Sequence, residues 1–216
     1  MTSAQCLQEA LIANHLNVAL DVQQKMLAFI EQMQKWNSVF NLTAIRDFEK
    51  AIWLHLVDSL SIHSYLHGQR IIDVGSGAGL PGIPLALLCP DKQFVLLDSN
   101  SKKTRFLQQM VYELGLSNVL VTHERVENYR PSMSFDSIMT RAFATLAVML
   151  EKTAHLASNH GQFLAMKGAY PSEELAALPA DFKVRYVERL NLVGLSVERH
   201  LVCIERSFDE KNSRDR

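Results

Sequence analysis

The stretch Arg70-Ile71-Ile72-Asp73-Val74-Gly75-Ser76-Gly77-Ala78-Gly79-Leu80-Pro81-Gly82-Ile83-Pro84 constrains the fold more than any other part of the chain. An apolar run carrying one acid stops at three glycines spaced two apart, and an apolar segment opened by proline, Ile83 to Leu88, follows directly. That pattern predicts a buried strand, a tight loop and a helix start. Glycine allows positive φ and close approach of the backbone to a ligand, while a new helix directs unpaired N–H groups at the same place. Alternate glycines lower strand and helix stability, so a nucleotide-type ligand is the reading that accounts for three of them.

Two ligands compete for the loop. Gly77-x-Gly79-x-x-Gly82 fits the dinucleotide pattern, whose pyrophosphate rests on the helix N-terminus. Against it, Asp73 would bring a carboxylate near the pyrophosphate, and Pro81 lacks an amide that a phosphate would use. A ligand with a cationic amino-acid end suits the acid, and Asp-x-Gly-x-Gly-x-Gly is the arrangement used by S-adenosylmethionine-dependent methyltransferases of the Rossmann-like class.

The 216 residues, 48% hydrophobic, provide one main core with room for a small accessory piece. Lys+Arg at 22 against Asp+Glu at 23 excludes a uniformly basic nucleic-acid binder, so any RNA contact must be a local patch. Cys6, Cys89 and Cys203 are odd in number and lack partners at metal spacing, which fits inert thiols and a cytoplasmic chain without a metal. No basic leader and no apolar run of membrane length is present, so a soluble protein without membrane contact is expected.

Residues 1–67 read as an all-helical front, a cap or lid: a helix over 3 to about 16, a second from Asp21 as N-cap to Phe40, and a third from about Asp47 toward Leu66. From 68 to 206 strands and helices alternate, which predicts an α/β domain with a mostly parallel seven-stranded sheet. Strands are expected at 70–74, 93–98, 118–122, 135–140 and 161–167, then an antiparallel pair at 182–191 and 198–206. Helices are expected at 81–89, from Asn100 or Ser101 to Gly115, at 144–157 and at 172–178. The charged tail 207–216 receives no role.

Asp98 closes the second strand, where an acid accepts from ribose hydroxyls in doubly wound sheets; otherwise it is an N-cap. In His123-Glu124-Arg125-Val126-Glu127, Val126 is placed to cover an adenine face and Glu127 to accept from its exocyclic amine, the alternative being a solvated turn. Thr140-Arg141-Ala142-Phe143 ends the fourth strand, where a transferred methyl would emerge. It lacks the Asn/Asp-Pro-Pro-Tyr/Phe platform of exocyclic amine methylation, and no Pro-Cys nucleophile occurs anywhere, so neither covalent nor general-base catalysis is indicated. Guanine N7 needs neither, because it already owns a lone pair. Arg141 and Lys167, at the ends of neighbouring strands, are candidates for guanine O6 or a phosphate, or else surface ion-pair partners. Arg46, Arg125, Arg199 and His200 are candidates for an RNA-facing patch. His55 and His63 share a helix face without completing a metal set.

Trp36-Asn37, Asn41 to Asp47, His55 with Asp58-Ser59, Ile72 to Pro84, Leu97-Asp98-Ser99, Arg125-Val126-Glu127, Thr140 to Phe143, Lys167-Gly168 and Glu198 to Val202, in that order, closely resemble the bacterial RsmG family, also called GidB. The resemblance implies a class I methyltransferase that modifies N7 of one guanosine in 16S ribosomal RNA with S-adenosylmethionine, on RNA within a small-subunit particle. It carries cofactor positions onto Gly75, Leu80, Val126, Glu127 and Arg141, joining Gly77, Gly79 and Asp98 from the loop and strand reading. It also moves Arg141 toward the cofactor end of the site.

Overall fold

The computed structural model describes residues Thr2 to Ser207, so the charged tail beyond Ser207 lies outside the described residues. Helix α1 (Ser3–Ala13) opens on a capping box in which Thr2 and Gln5 bond each other's backbone. Helix α2 (Leu20–Phe40) starts after Ala19, so Asp21 is in the first turn rather than at the N-cap. There its charge faces the positive end of the helix dipole. Asn41, at φ 50°, stops the helix.

The expected third helix is broken into pieces. Asp47 caps α3 (Phe48–Ala51), a π-helical stretch follows over Ile52–Val57, α4 covers Asp58–Leu60, and a 3₁₀ turn spans His63–Tyr65. A π-turn inserts a residue into the ladder and changes which side chains face the core.

The sheet follows in the order β3-β2-β1-β4-β5-β7-β6. Its strands are β1 (Arg70–Val74), β2 (Gln93–Asp98), β3 (Val119–His123), β4 (Phe135–Arg141), β5 (Ala157–Lys167), β6 (Phe182–Arg189) and β7 (His200–Arg206). Strands β1 to β5 pair in parallel, while β7 runs antiparallel between β5 and β6. Helices α5 (Gly82–Leu88), α6 (Ser101–Glu113), α7 (Leu146–Thr153) and α8 (Ser172–Ala176) complete the fold. Strand β5 begins four residues earlier than the pattern suggested, because the ladder is irregular between Phe135 and Ser137 and Gly161 lies against the Phe135 carbonyl.

The N-terminal helices share one apolar core with α5 and α6. Phe29 stacks at 6.2 Å on Phe106, and Trp36 meets the same ring at 5.5 Å. Burying a side chain of that size contributes about 1.5–3 kcal/mol. A second core fills the other face of the sheet, under α7. The chain runs out from β1 to β3 on one side and returns to β4 on the other, leaving a crevice at the carboxyl ends of β1 and β4. Ligands of doubly wound sheets bind at such a switch point.

Candidate functional site: two adjoining clefts

The first cleft, of about 150 Å³, lies over the ends of β1, β2 and β3. Val74 and Gly75, Leu97 to Ser99, Glu124 to Glu127, Phe143 and Lys152 line it. Gly75 has φ 73°, and a Cβ there would meet Phe143 Cδ2 at 2.9 Å, so only glycine leaves this wall open. Asp98 is buried, and its two oxygens accept from the backbone: Oδ2 from Gly77 N at 2.8 Å and Oδ1 from Asn100 N at 2.8 Å. The α6 N-cap is Asn100, which accepts from Lys102 N and Lys103 N, so capping is not what Asp98 does. Each Asp98 oxygen keeps lone-pair capacity for a diol.

Val126 is buried and supplies an apolar wall. Glu127 is held at the rim by Lys152, 2.6 Å away, and the hydrogen bond from that ammonium lowers its carboxyl pKa. The Val126 and Glu127 side chains therefore flank the same space as Gly75 and Asp98. Phe143 and Lys152 had no role in the sequence reading; a signal existed only for Phe143, within the run Thr140 to Phe143.

Three positions of the glycine stretch sit elsewhere. Gly77 serves the cleft indirectly, through its bond to Asp98. Gly79, at φ 83°, is pressed against Ile83 and Leu107, and Leu80 is in the core, so the structure brings neither to the cleft wall. The α5 N-terminus also departs from expectation, because its amides are not aimed at a ligand. Gly82 N donates to Asp73 Oδ2 at 3.1 Å and Ile83 N to the Gly79 carbonyl. A pyrophosphate would find that helix end already taken by a carboxylate. Asp73 itself is buried below the loop, and burial raises its pKa to about 7 against the opposing pull of Gly82 N–H and Arg141.

The second cleft, of about 590 Å³, adjoins the first across residues 141 to 143. Ile45, Leu54, His55, Asp58, Arg141, Ala142, Met166 to Gly168, Val197 and Arg199 line it. It collects cations. Lys167 Nζ donates to the Ala144 carbonyl at 2.8 Å and to Glu174 at 2.7 Å, while Arg141 and Arg199 both bond Asp58. Thr43 Oγ1, which accepts from Ile45 N, lies 2.9 Å from His55 Nε2. Burial, and then the nearby Arg141 charge, lower the His55 pKa to about 4 and keep the ring neutral. His200 supports the wall from behind: it is buried with Nδ1 2.9 Å from the Gly168 carbonyl. Arg46 is exposed beside Ile45 at the lip. Among the described residues no group of three His, Cys, Asp or Glu could hold a metal, and no helix is long and apolar enough to cross a membrane.

Solved structures with this architecture include a SAM-dependent methyltransferase from Aquifex aeolicus, with TM-score 0.56 at 17% identity over 81% of this chain and 97% of that one. Another, from Thiobacillus denitrificans, is in complex with S-adenosyl-L-homocysteine and matches with TM-score 0.54 at 12% identity over 69% and 91% of the two chains. These likenesses show a class I methyltransferase fold. In sequence, a ribosomal RNA small subunit methyltransferase G from Nitrosococcus oceani is 53% identical over 87% of this chain and 88% of its own length. The family model described as rRNA small subunit methyltransferase G matches residues 22–202, which takes in both clefts, and the chain belongs to that family.

Proposed function

We propose that this chain transfers the methyl group of S-adenosylmethionine to N7 of one guanosine in 16S ribosomal RNA, within the small ribosomal subunit or its precursor in the cytoplasm. The observation that carries the reading is the pairing of the clefts: a cleft lined by Asp98, Glu124 and Glu127 adjoins a larger one lined by Arg141, Lys167 and Arg199, with consecutive residues facing each, Phe143 the first and Arg141 and Ala142 the second.

The first cleft suits the cofactor by its donor set. Asp98 would accept from the ribose hydroxyls, Val126 would cover a face of the adenine, Glu127 would accept from its amine, and Gly75 leaves the room that a Cβ would fill. Arg141 lines the second cleft and not the first, with its guanidinium on Asp58, so it would act on the acceptor side. The bound cofactor supplies an electrophilic methyl on a positively charged sulfur. N7 of guanine would attack it with its own lone pair as the methyl–sulfur bond breaks and neutral S-adenosylhomocysteine leaves, so no proton has to be removed. The chain's work is then to orient and exclude water, which supplies roughly 7–11 kcal/mol in well-aligned reactions.

Lys167, Arg141 and Arg199 would hold oxygens of the incoming nucleotide, with Arg46 at the lip and His200 behind. They must leave N7 open, so the bidentate contact to O6 and N7 is not available here. None of the three cysteines lines either cleft, consistent with a reaction without a covalent enzyme intermediate. Residues 1–67 would act as a cap, since Ile45, Leu54, His55 and Asp58 close one side of the acceptor cleft.

The test is transfer of labelled methyl from S-adenosylmethionine to small subunits lacking the modification, with modified subunits and naked 16S RNA alongside. Label at a single guanine N7 in the unmodified particles is expected. Cofactor binding without any rRNA labelling would overturn the acceptor assignment.

A further inference from the structure

Asp58 comes from the N-terminal helices, yet its carboxylate sits between two guanidiniums delivered by the far side of the sheet. It opens α4 directly after the π-turn, and its side chain is only 2% exposed. Arg141, at the end of β4, donates Nη1 to Oδ2 at 3.2 Å. Arg199, one residue before β7, donates Nε to Oδ1 at 2.8 Å. One buried acid thus engages each arginine through a different oxygen. Arg199 also donates Nη1 to the Glu198 carbonyl at 2.9 Å, which leaves Nη2 of both arginines for an incoming oxygen.

Two guanidiniums held this close would repel and splay without a shared counter-charge. With it they keep a net positive charge at the cleft and lose their rotamer freedom before substrate arrives. A free arginine gives up its rotamer freedom when it binds, and fixing it in advance removes that cost from binding. Breaking a buried pair by removing one partner is correspondingly harmful.

We propose that Asp58 is a positioning residue for the RNA substrate: it holds Arg141 and Arg199 converged on one oxygen-bearing group of the target nucleotide, its phosphate or the guanine O6. The proposal rests on the methyltransferase reading and extends it. The competing role, a purely structural anchor between the N-terminal helices and the sheet, makes different predictions.

Affinity for unmodified small subunits is measured separately from methyl transfer, so wild-type protein that binds subunits but labels nothing would count against the enzymatic reading alone. Asp58→Asn should weaken subunit binding about tenfold while S-adenosylmethionine affinity stays within about twofold. Arg199→Lys keeps the charge but cannot reproduce the Nε bond, and it should show a similar loss. The double variant should be no weaker than the worse single one, because both remove the same arrangement. Additive losses, a cofactor affinity that falls with the subunit affinity, or Arg199→Lys binding like wild type would overturn the proposal. Should Asp58→Asn fail to fold, Arg199→Lys decides alone, since its side chain is 24% exposed and its replacement leaves the core intact.

Discussion

The two clefts lie side by side and are built in opposite ways. The first cleft draws most of its walls from three strand ends, at 74–75, 97–99 and 124–127, each directly continuing a strand. Its buried acid, Asp98, is set by backbone donors, Asn100 N two positions on and Gly77 N 21 positions back. The second cleft gathers residues 45, 54, 55, 58, 141, 142, 166–168, 197 and 199, and the two ion pairs of Asp58 join side chains 83 and 141 positions apart. One cleft is a property of backbone geometry at the strand ends and tolerates little change there. The other is a property of side-chain partnerships, and it should respond to charge and reach while the backbone stays as it is.

The sharpest way to break the comparison is Gly75→Val. The residue would have to hold φ 73° with a branched side chain, and its Cβ would displace the Phe143 ring. Affinity for S-adenosylmethionine by calorimetry should fall at least about 100-fold, or ~2.7 kcal/mol, while subunit binding persists. Unchanged affinity would sink the assignment of the loop.

Lys167→Ala tests the other cleft. It removes the bonds to Ala144 O and Glu174, and the KM for subunits should rise about tenfold, with cofactor affinity nearly constant. The reverse order would place Lys167 on the cofactor.

The last test is one of pH and reads stability rather than binding. Asp73, under the first cleft, has a pKa raised to about 7, so the folded state binds a proton that the unfolded chain lacks, and stability increases as pH falls from about 7 toward 4. His55, in the second cleft, is lowered to about 4, so the unfolded chain binds the extra proton and stability decreases as pH falls from 6.5 toward 4. The two slopes oppose each other. In Asp73→Asn the opposing slope is gone, and urea unfolding should show stability dropping more steeply than in wild type as pH falls from 6.5 toward 4, with His55 contributing at most about 1.4 kcal/mol per pH unit. Parallel curves for the two proteins would refute the pairing.

The strands and caps of the α/β part were legible because their signals are local. The bounds of β1 and β2, Asn100 as a cap and Gly115 at φ 64° after α6 all coincide with expectation. Periodicity failed where tertiary contacts override it: the helix expected from Asp47 to Leu66 keeps its apolar spacing but contains a π-turn, and His55 and Asp58 line the second cleft. Within the glycine stretch, spacing alone does not separate a ligand-facing glycine from a packing one. Gly75 and Gly79 both have positive φ, yet the first meets Phe143 at a cleft wall and the second meets Ile83 and Leu107 in the core.

By itself the sequence determined the class of fold, the strand-loop-helix unit and the acid at the end of the second strand, since alternation, glycine and caps act through neighbours along the chain. Only the tertiary structure decided that Arg141 and Arg199 share one buried carboxylate, that Asp73 accepts from the amide of Gly82 at the α5 end, and that Phe143 and Lys152 complete the first cleft. Such contacts depend on which distant residues the sheet order brings together, and a charged residue read alone looks the same whether its partner is water, an anion or a buried acid.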